Sequence, residues 1–80
     1  MGKTKRPYPR KLARKLKRVR LNLKLSQSEI AKKVGVQNRS SIAGYETGER
    51  EPPLPVLLKY ARLAGTIVDA LIDDKMKLPQ

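Results

Sequence analysis

The sequence predicts an all-α protein, a compact bundle of five short helices. One observation is an apolar stripe with helical spacing near the N-terminus, formed by Leu12, Leu16, Val19 and Leu23. A second is the pair Ser26 and Glu29, which has the spacing of a capping box at a helix N-terminus. A third is the placement of Gly35, Gly48 and Gly65, each close behind an apolar helical pattern. No segment shows the alternation that is typical of strands.

Helix 1 is expected over residues 11–23, with its leucine stripe turned toward the core. Its other faces carry six basic side chains: Lys11, Arg14, Lys15, Lys17, Arg18 and Arg20. A basic amphipathic helix can also lie on a membrane surface, but this stripe has no aromatic anchor. Because the core needs these leucines, we prefer the buried position.

Helices 2 and 3 form a pair of short helices joined by a tight turn. Ser26 caps helix 2, and the inward face of this helix consists of Ile30, Ala31 and Val34. Helix 3 is expected from about residue 39 to residue 45 or just beyond, with Asn38 as its cap. Ile42 and Tyr45 are three residues apart and face the core. This arrangement predicts a helix-turn-helix, a motif whose second helix enters the major groove of DNA.

Two further helices complete the bundle. Helix 4 is expected over residues 54–64, because Pro55 is tolerated in a first helical turn. Its apolar face is expected to consist of Leu54, Leu57, Leu58, Ala61 and Ala64. Helix 5 is expected over residues 68–73, and its core-facing residues are Val68, Leu71 and Ile72. Ile67 and part of helix 5 are then left over for a dimer surface.

The chain divides into an arm, one domain and a tail. Residues 11–73 form the single small domain that a chain of 80 residues allows. Residues 74–80 form a polar C-terminal tail. Residues 1–10 are basic and interrupted by prolines, so they are either a flexible arm along DNA or a disordered tail.

Positive charge is concentrated in the first third of the chain. The net charge is +12, from 19 Lys and Arg against 7 Asp and Glu. Residues 1–28 contain 11 of the basic residues and none of the acidic ones. Such a field attracts a polyanion, although a basic excess can also serve solubility alone.

Missing residue types exclude several kinds of chemistry. Without cysteine or histidine, a disulfide and a thiolate metal site are excluded and a transition-metal site is not expected. The carboxylates are few and no glycine-rich loop follows a strand, so we expect neither an enzyme nor a bound cofactor. No apolar run approaches the roughly 20 residues of a membrane span, and the N-terminus has no signal-peptide core. We therefore expect a cytoplasmic protein with no membrane contact.

A gapped pattern of residues runs through the central stretch: Leu25-Ser26-Gln27, Ile30-Ala31, Gly35-Val36, Ile42, Tyr45-Glu46, Gly48 and Arg50-Glu51-Pro52. This pattern resembles the helix-turn-helix of the Cro/CI repressor family, also called the XRE family. The resemblance extends from about Leu12 to Ile72 and implies a lambda-repressor-like fold. The chain departs from the family in one interval, since Gly35 and Ile42 lie one residue further apart than is usual.

The resemblance makes helix 3 the candidate recognition helix. With Ile42 inward, helical geometry turns Ser40, Ala43, Gly44 and Thr47 outward. The residues expected to contact bases are Gln37, Asn38, Arg39, Ser40, Ala43 and Gly44. Arginine can read guanine with two hydrogen bonds, and asparagine or glutamine can read adenine. Ala43 can contact a thymine methyl, and Gly44 allows close approach of the helix to DNA.

A second set of residues is expected to contact phosphates: Arg20, Gln27, Ser41, Thr47 and Arg50. The resemblance implies that Arg20 also pairs with Glu46, which would clamp helix 1 to the end of helix 3. The alternative is an ordinary exposed arginine of little energetic consequence. Gln27 lies in the first turn of helix 2, where free backbone N–H groups favour a phosphate. Lys24 stands where the family often has a left-handed glycine.

The function implied is that of a sequence-specific double-stranded DNA-binding transcriptional regulator that acts as a repressor. A single module buries too little surface for tight specific binding, so we expect a homodimer on DNA. Two alternatives stay open. One is the antitoxin of a toxin–antitoxin pair, and the other is a protein-interaction module that has lost specific DNA readout, each with a protein partner.

Overall fold

Five helices and no strand are present in residues 9–78, which are the residues that the computed structural model describes. The helices are α1 (Leu12–Asn22), α2 (Gln27–Val34), α3 (Arg39–Thr47), α4 (Leu54–Ala64) and α5 (Val68–Ile72). The predicted all-α class is therefore confirmed. Most of the expected arm, residues 1–8, lies outside the described residues, as do residues 79–80. No helix of residues 9–78 is long and apolar enough to cross a bilayer.

The core is built by one apolar face from each helix. Its most fully buried side chains are Tyr60, Leu12, Leu16, Ile30, Ile42, Leu71 and Val34. The predicted stripe of helix 1 is confirmed for Leu12, Leu16 and Val19. Leu23 is instead 38% exposed, because α1 ends before it and the chain turns away. α3 packs against α1 and α2, so the core directly supports the helix-turn-helix.

Helix 4 turns a different face to the core from the one expected. Its buried residues are Val56, Leu57, Tyr60 and Ala61. Leu54 and Leu58 are 67% and 41% exposed, so their predicted burial is wrong. The large ring of Tyr60 fills the centre of the bundle and sets the rotation of the helix. Burial raises the pKa of the Tyr60 hydroxyl, which has no hydrogen-bond partner within residues 9–78.

Helix 5 is also rotated relative to the expectation. Ala70 and Leu71 are its buried residues, and Val68 is half-buried against the core. Ile72 is 41% exposed, so its predicted core position is wrong. The helix has only five residues, about one and a half turns. A helix of this length can bury only a narrow stripe of side chains.

Lys15 is buried, so its predicted position on the basic outer faces of helix 1 is wrong. Its ammonium group donates to the carbonyl oxygens of Ala70 at 2.6 Å, Asp73 at 2.9 Å and Met76 at 2.7 Å. These acceptors belong to the end of α5 and to the turn that follows it. Lys15 thus satisfies carbonyl groups that the end of a helix leaves without partners.

The segment after α5 is also held by its own carboxylate. Asp74 accepts hydrogen bonds from the backbone N–H groups of Arg10 and Lys11, both at 3.0 Å. These donors stand at the start of α1, which has no other side-chain cap. Residues 74–78, assigned to the tail, therefore lie along helix 1, and Leu78 packs against the core.

Stability at acid pH should depend on Asp74. Its hydrogen bonds to backbone N–H groups hold the pKa of this carboxyl below its usual value. A carboxyl with a lowered folded-state pKa stabilises the protein at neutral pH, and this contribution is lost as the pH falls below about 4. We expect Asp74→Ala to lower the melting temperature at pH 7 and to weaken its decline on acidification. The melting temperatures of the two proteins are measured at several pH values between neutral and acid. An equal decline of melting temperature with falling pH in both proteins would contradict this role.

Lys24 adopts a left-handed backbone conformation, as the family resemblance implied. Its φ is 60°, and it is the only non-glycine residue with positive φ among residues 9–78. The N–H groups of Lys24 and Leu25 donate to the carbonyls of Leu21 and Arg20, at 3.0 and 3.1 Å. This is a Schellman motif, in which the left-handed position favours glycine.

Lys24→Gly is therefore expected to raise the free energy of unfolding by about 0.5–1 kcal/mol, because relief of the left-handed strain exceeds the added chain entropy. Thermal denaturation measures the change. Lys24→Ala is the matched control, since it removes the same side chain but keeps the strain. Equal stabilities of the glycine and alanine variants would contradict the strain argument.

Candidate nucleic-acid interface

α2 begins with the capping box that the sequence predicts. The Ser26 hydroxyl accepts from the N–H of Glu29 at 3.0 Å, and the Glu29 carboxylate accepts from the N–H of Ser26 at 2.7 Å. These bonds lower the pKa of the Glu29 carboxyl. Gly35 ends α2 with φ +78°, and the N–H of Val36 reaches back to Ala31 at 2.8 Å. α3 then starts only four residues after Gly35, as a helix-turn-helix requires.

The N-terminal end of α3 presents polar side chains to solvent. Gln37, Asn38, Arg39 and Ser40 are exposed, and Ser41 and Ala43 are half-buried. Asn38 occupies the N-cap position with extended backbone, but its side chain makes no capping hydrogen bond. Its amide is therefore not committed to the helix end. Five predicted base-contacting residues and Ser41, a predicted phosphate contact, therefore lie at or next to the N-terminal end of α3.

Gly44 does not belong to this surface. It is buried, and a side chain at this position would place its Cβ 2.9 Å from Cγ and Cδ of Arg50. The expectation that Gly44 faces outward, toward bases, is wrong. The chain folds back after Gly48 and lays the stem of Arg50 across this glycine, with the Arg50 N–H donating to the Gly44 carbonyl at 3.1 Å. The glycine is needed for the close approach of its own chain.

The predicted contact between Arg20 and Glu46 is present. Arg20 Nε donates to Glu46 Oε2 at 2.7 Å, and Arg20 Nη2 donates to Glu46 Oε1 at 3.1 Å. The two side chains are only 12% and 5% exposed. The hydrogen bond to Glu46 raises the pKa of Arg20. Nη1 of Arg20 also donates to the Leu25 carbonyl at 3.0 Å, so the guanidinium joins the end of α1, the start of α2 and the end of α3.

Gln27 is held by the same carboxylate. Its Nε2 donates to Glu46 Oε1 at 3.2 Å, and the residue is half-buried in the first turn of α2. An amide nitrogen carries two hydrogens, so the second stays available for an outside acceptor. We call Arg20, Glu46 and Gln27 the clamp. It fixes the start of α2 relative to α3.

Two other predicted phosphate contacts lie near the end of α3. Arg50 is exposed, with its stem fixed over Gly44. Thr47 is exposed, but its hydroxyl donates to the Gly44 carbonyl at 3.2 Å and accepts from Glu49 N at 3.4 Å. The single hydroxyl hydrogen of Thr47 is thus directed into the protein. Arg50 is the better placed of these two for an external anion.

The fold and this surface define a helix-turn-helix domain. The chain belongs to the Helix-turn-helix family HTH_3, which matches residues 16–67. It is 36% identical over 58 residues to an HTH-type transcriptional regulator, YobD, of Bacillus subtilis (strain 168). That alignment covers 72% of this chain and 51% of YobD, so the chain spans about half the length of this relative.

A solved structure has the same fold. The P22 c2 repressor protein, in complex with synthetic operator 9T in the presence of Tl⁺, superposes with a TM-score of 0.72. The two chains are 26% identical, and the superposition covers 80% of this chain and 96% of the repressor chain. The Cro/CI (XRE) resemblance and the five-helix, lambda-repressor-like architecture are therefore confirmed.

Proposed function

We propose that this chain is a sequence-specific double-stranded DNA-binding module of a transcriptional regulator, and that it acts as a repressor. The observation that carries the proposal is the exposed polar end of α3, held in place by the buried clamp, in a protein of net charge +12. The similarity to a repressor solved with an operator and to a regulator of the HTH type supports it. Site and charge together fit DNA better than a catalytic role.

In this proposal, α3 enters the major groove with its N-terminal end. Arg39 reads a guanine through its two-pronged guanidinium, and Gln37 or Asn38 reads an adenine. Ser40 and Ala43 supply a short polar contact and an apolar contact with a thymine methyl. Gly44 takes no part, because it faces Arg50.

Phosphate contacts fix the orientation of α3 in the groove. We assign them to Gln27, Ser41 and Arg50, with Arg20 contributing the guanidinium hydrogens that Glu46 and the Leu25 carbonyl leave unused. The basic side chains supply affinity that falls steeply with salt. Occupancy of an operator then blocks transcription, and we propose a cytoplasmic location for the protein.

We propose further that the protein binds as a homodimer, with two recognition helices about 34 Å apart on a near-palindromic site. Exposed apolar side chains are available for such an interface: Leu54, Leu58, Ile67 and Ile72. Ile67 is the one anticipated from the sequence, and it is 58% exposed. Burial of these side chains between two copies would also add to a small core.

The substitution Arg39→Ala tests direct readout. It should weaken binding to the cognate duplex by about 1–3 kcal/mol and relax the preference at one base position. Arg18→Ala is the matched control, because Arg18 is an exposed arginine on α1 that belongs neither to the exposed end of α3 nor to the proposed dimer contacts. Quantitative binding to the cognate duplex and its single-base variants measures both effects. If the two variants lose equal affinity on every duplex, Arg39 only adds charge.

A further inference from the structure

A second concave surface lies on the other side of helix 1. We call it the basic groove; it is an open cleft of about 700 Å³ between α1 and the segment after α5. Among the residues that line it, six supply the positive charge and the apolar contacts that a ligand would meet: Lys11, Arg14, Arg18, Lys75, Met76 and Leu78. A volume of this size falls within the roughly 300–1,000 Å³ that small-ligand clefts occupy.

The walls of the basic groove are fixed by hydrogen bonds. Lys15 ties α1 to the carbonyls of Asp73 and Met76, at 2.9 and 2.7 Å. Asp74 ties the opposite wall to the backbone N–H groups of Arg10 and Lys11, just before α1, at 3.0 Å. The segment after α5 is therefore held against α1 by specific hydrogen bonds, which fix the shape of the basic groove.

The basic groove is separate from the proposed DNA surface. Ala13 lies beside Gly48, and Arg20 binds Glu46, so this side of α1 faces α3. Arg14 and Arg18 are turned from Arg20 by roughly 120–160° around the helix axis, at 3.6 residues per turn. A DNA duplex that contacts the N-terminal end of α3 therefore does not account for the positive charges of Arg14 and Arg18.

The chemistry of the lining indicates what would bind. Cationic side chains surround the groove, and Asp74 is the only acid that lines it in the described part of the chain. The Asp74 carboxylate is already occupied by two N–H groups. Met76 is 37% exposed and Leu78 is half-buried, so the lining also offers an apolar contact. Carboxylates that flank an aliphatic side chain complement both features.

We propose that the basic groove binds an acidic peptide segment of a partner protein, with an apolar side chain of that segment placed on Met76 and Leu78. A narrow cleft with an apolar contact suits an extended peptide better than duplex DNA, whose phosphates stand on a broad convex surface and offer no aliphatic group. The bound segment would add a protein contact to the domain while α3 remains free.

The test uses the full chain and a short fluorescein-labelled peptide of glutamates around two central leucines. The change in fluorescence anisotropy should give saturable binding. A peptide with glutamine at every glutamate should not bind, and one with serine at both leucines should bind about tenfold more weakly. Absence of saturable binding to the glutamate–leucine peptide would overturn the proposal.

Charge-reversed variants locate the site. Arg14→Glu with Arg18→Glu should weaken peptide binding about tenfold or more. Lys17→Glu with Lys59→Glu is the matched control, because it changes the net charge equally at exposed helix positions outside the groove. Circular dichroism verifies that both variants fold. Equal losses in the two variants would show attraction to net charge only and would overturn the proposal, whatever the outcome of DNA binding.

Discussion

Glu46→Gln is expected to lower the free energy of unfolding by about 3 kcal/mol, because it removes one charge of a buried ion pair and leaves the other uncompensated. Both side chains are largely shielded from solvent, with exposures of 12% for Arg20 and 5% for Glu46. For a domain of this size, such a loss corresponds to a fall of roughly 12–24 °C in melting temperature. Thermal and urea denaturation measure it.

The same substitution should weaken DNA binding even where the variant is folded. Glutamine keeps one acceptor oxygen in place of two, so the Gln27 amide must share that single oxygen with both guanidinium donors of Arg20 and is oriented less firmly. We therefore expect lower affinity for all duplexes, without a change in base preference, because phosphate contacts carry little sequence information. Binding assays well below the melting temperature of the variant separate this effect from unfolding.

Glu49→Gln is the matched control for Glu46→Gln. Glu49 is exposed in the loop after α3, and the chemical change is identical, so the expected effect on stability is within about 0.5 kcal/mol. The double variant Arg20→Met with Glu46→Leu removes both charges and should recover much of the loss. A Glu46→Gln protein as stable as the Glu49→Gln protein would show that the clamp contributes nothing.

Lys15→Met is expected to cost about 2–3 kcal/mol, since it removes the charged donor from three carbonyl groups and leaves the buried Ala70 oxygen without this partner. Methionine preserves the length and apolar stem of the side chain, so packing is little disturbed. Denaturant titration gives the change in unfolding free energy. Hydrogen exchange should also show faster opening of the segment after α5, which Lys15 holds against α1.

Lys17→Met controls for the loss of a lysine from the same helix. Lys17 is exposed, and its replacement should change stability by no more than about 0.5 kcal/mol. If the two methionine variants proved equally stable, the three hydrogen bonds of Lys15 would make no net contribution to the free energy of unfolding.

Local signals in the sequence were sufficient for the elements of the helix-turn-helix. The capping box at Ser26, the left-handed glycine at Gly35 and the inward pair Ile42 and Tyr45 act through neighbouring residues. Such effects can be worked out without knowledge of the rest of the fold. They predict the correct helices, the inward face of α2, and the inward positions of Ile42 and Tyr45 on α3.

Helix 4 shows where periodicity is not sufficient. Apolar residues occur all around it, so several rotations of the helix satisfy a helical pattern equally well. The choice of Val56 and Tyr60 over Leu54 and Leu58 depends on the shape of the space left by the other helices. The sequence pattern contains no measure of that shape.

Two other errors come from contacts that the periodicity of a single helix does not describe. Gly44 is covered by Arg50 only because the chain reverses after α3. Lys15 meets carbonyl groups that lie 55 to 61 residues further along the chain. One local signal was available for Lys15, because it lies four residues before the buried Val19, at the edge of the leucine stripe. The partner of Arg20 was found only through the family resemblance.

Selection of binding sites from random duplex DNA, with the mass of the protein in solution measured in parallel, tests sequence-specific DNA binding most directly. We expect enrichment of an inverted repeat with half-site centres about ten base pairs apart, bound by two copies of the chain. Salt-sensitive binding with no enriched motif would contradict it, because the chain would then be only a polycation on a polyanion.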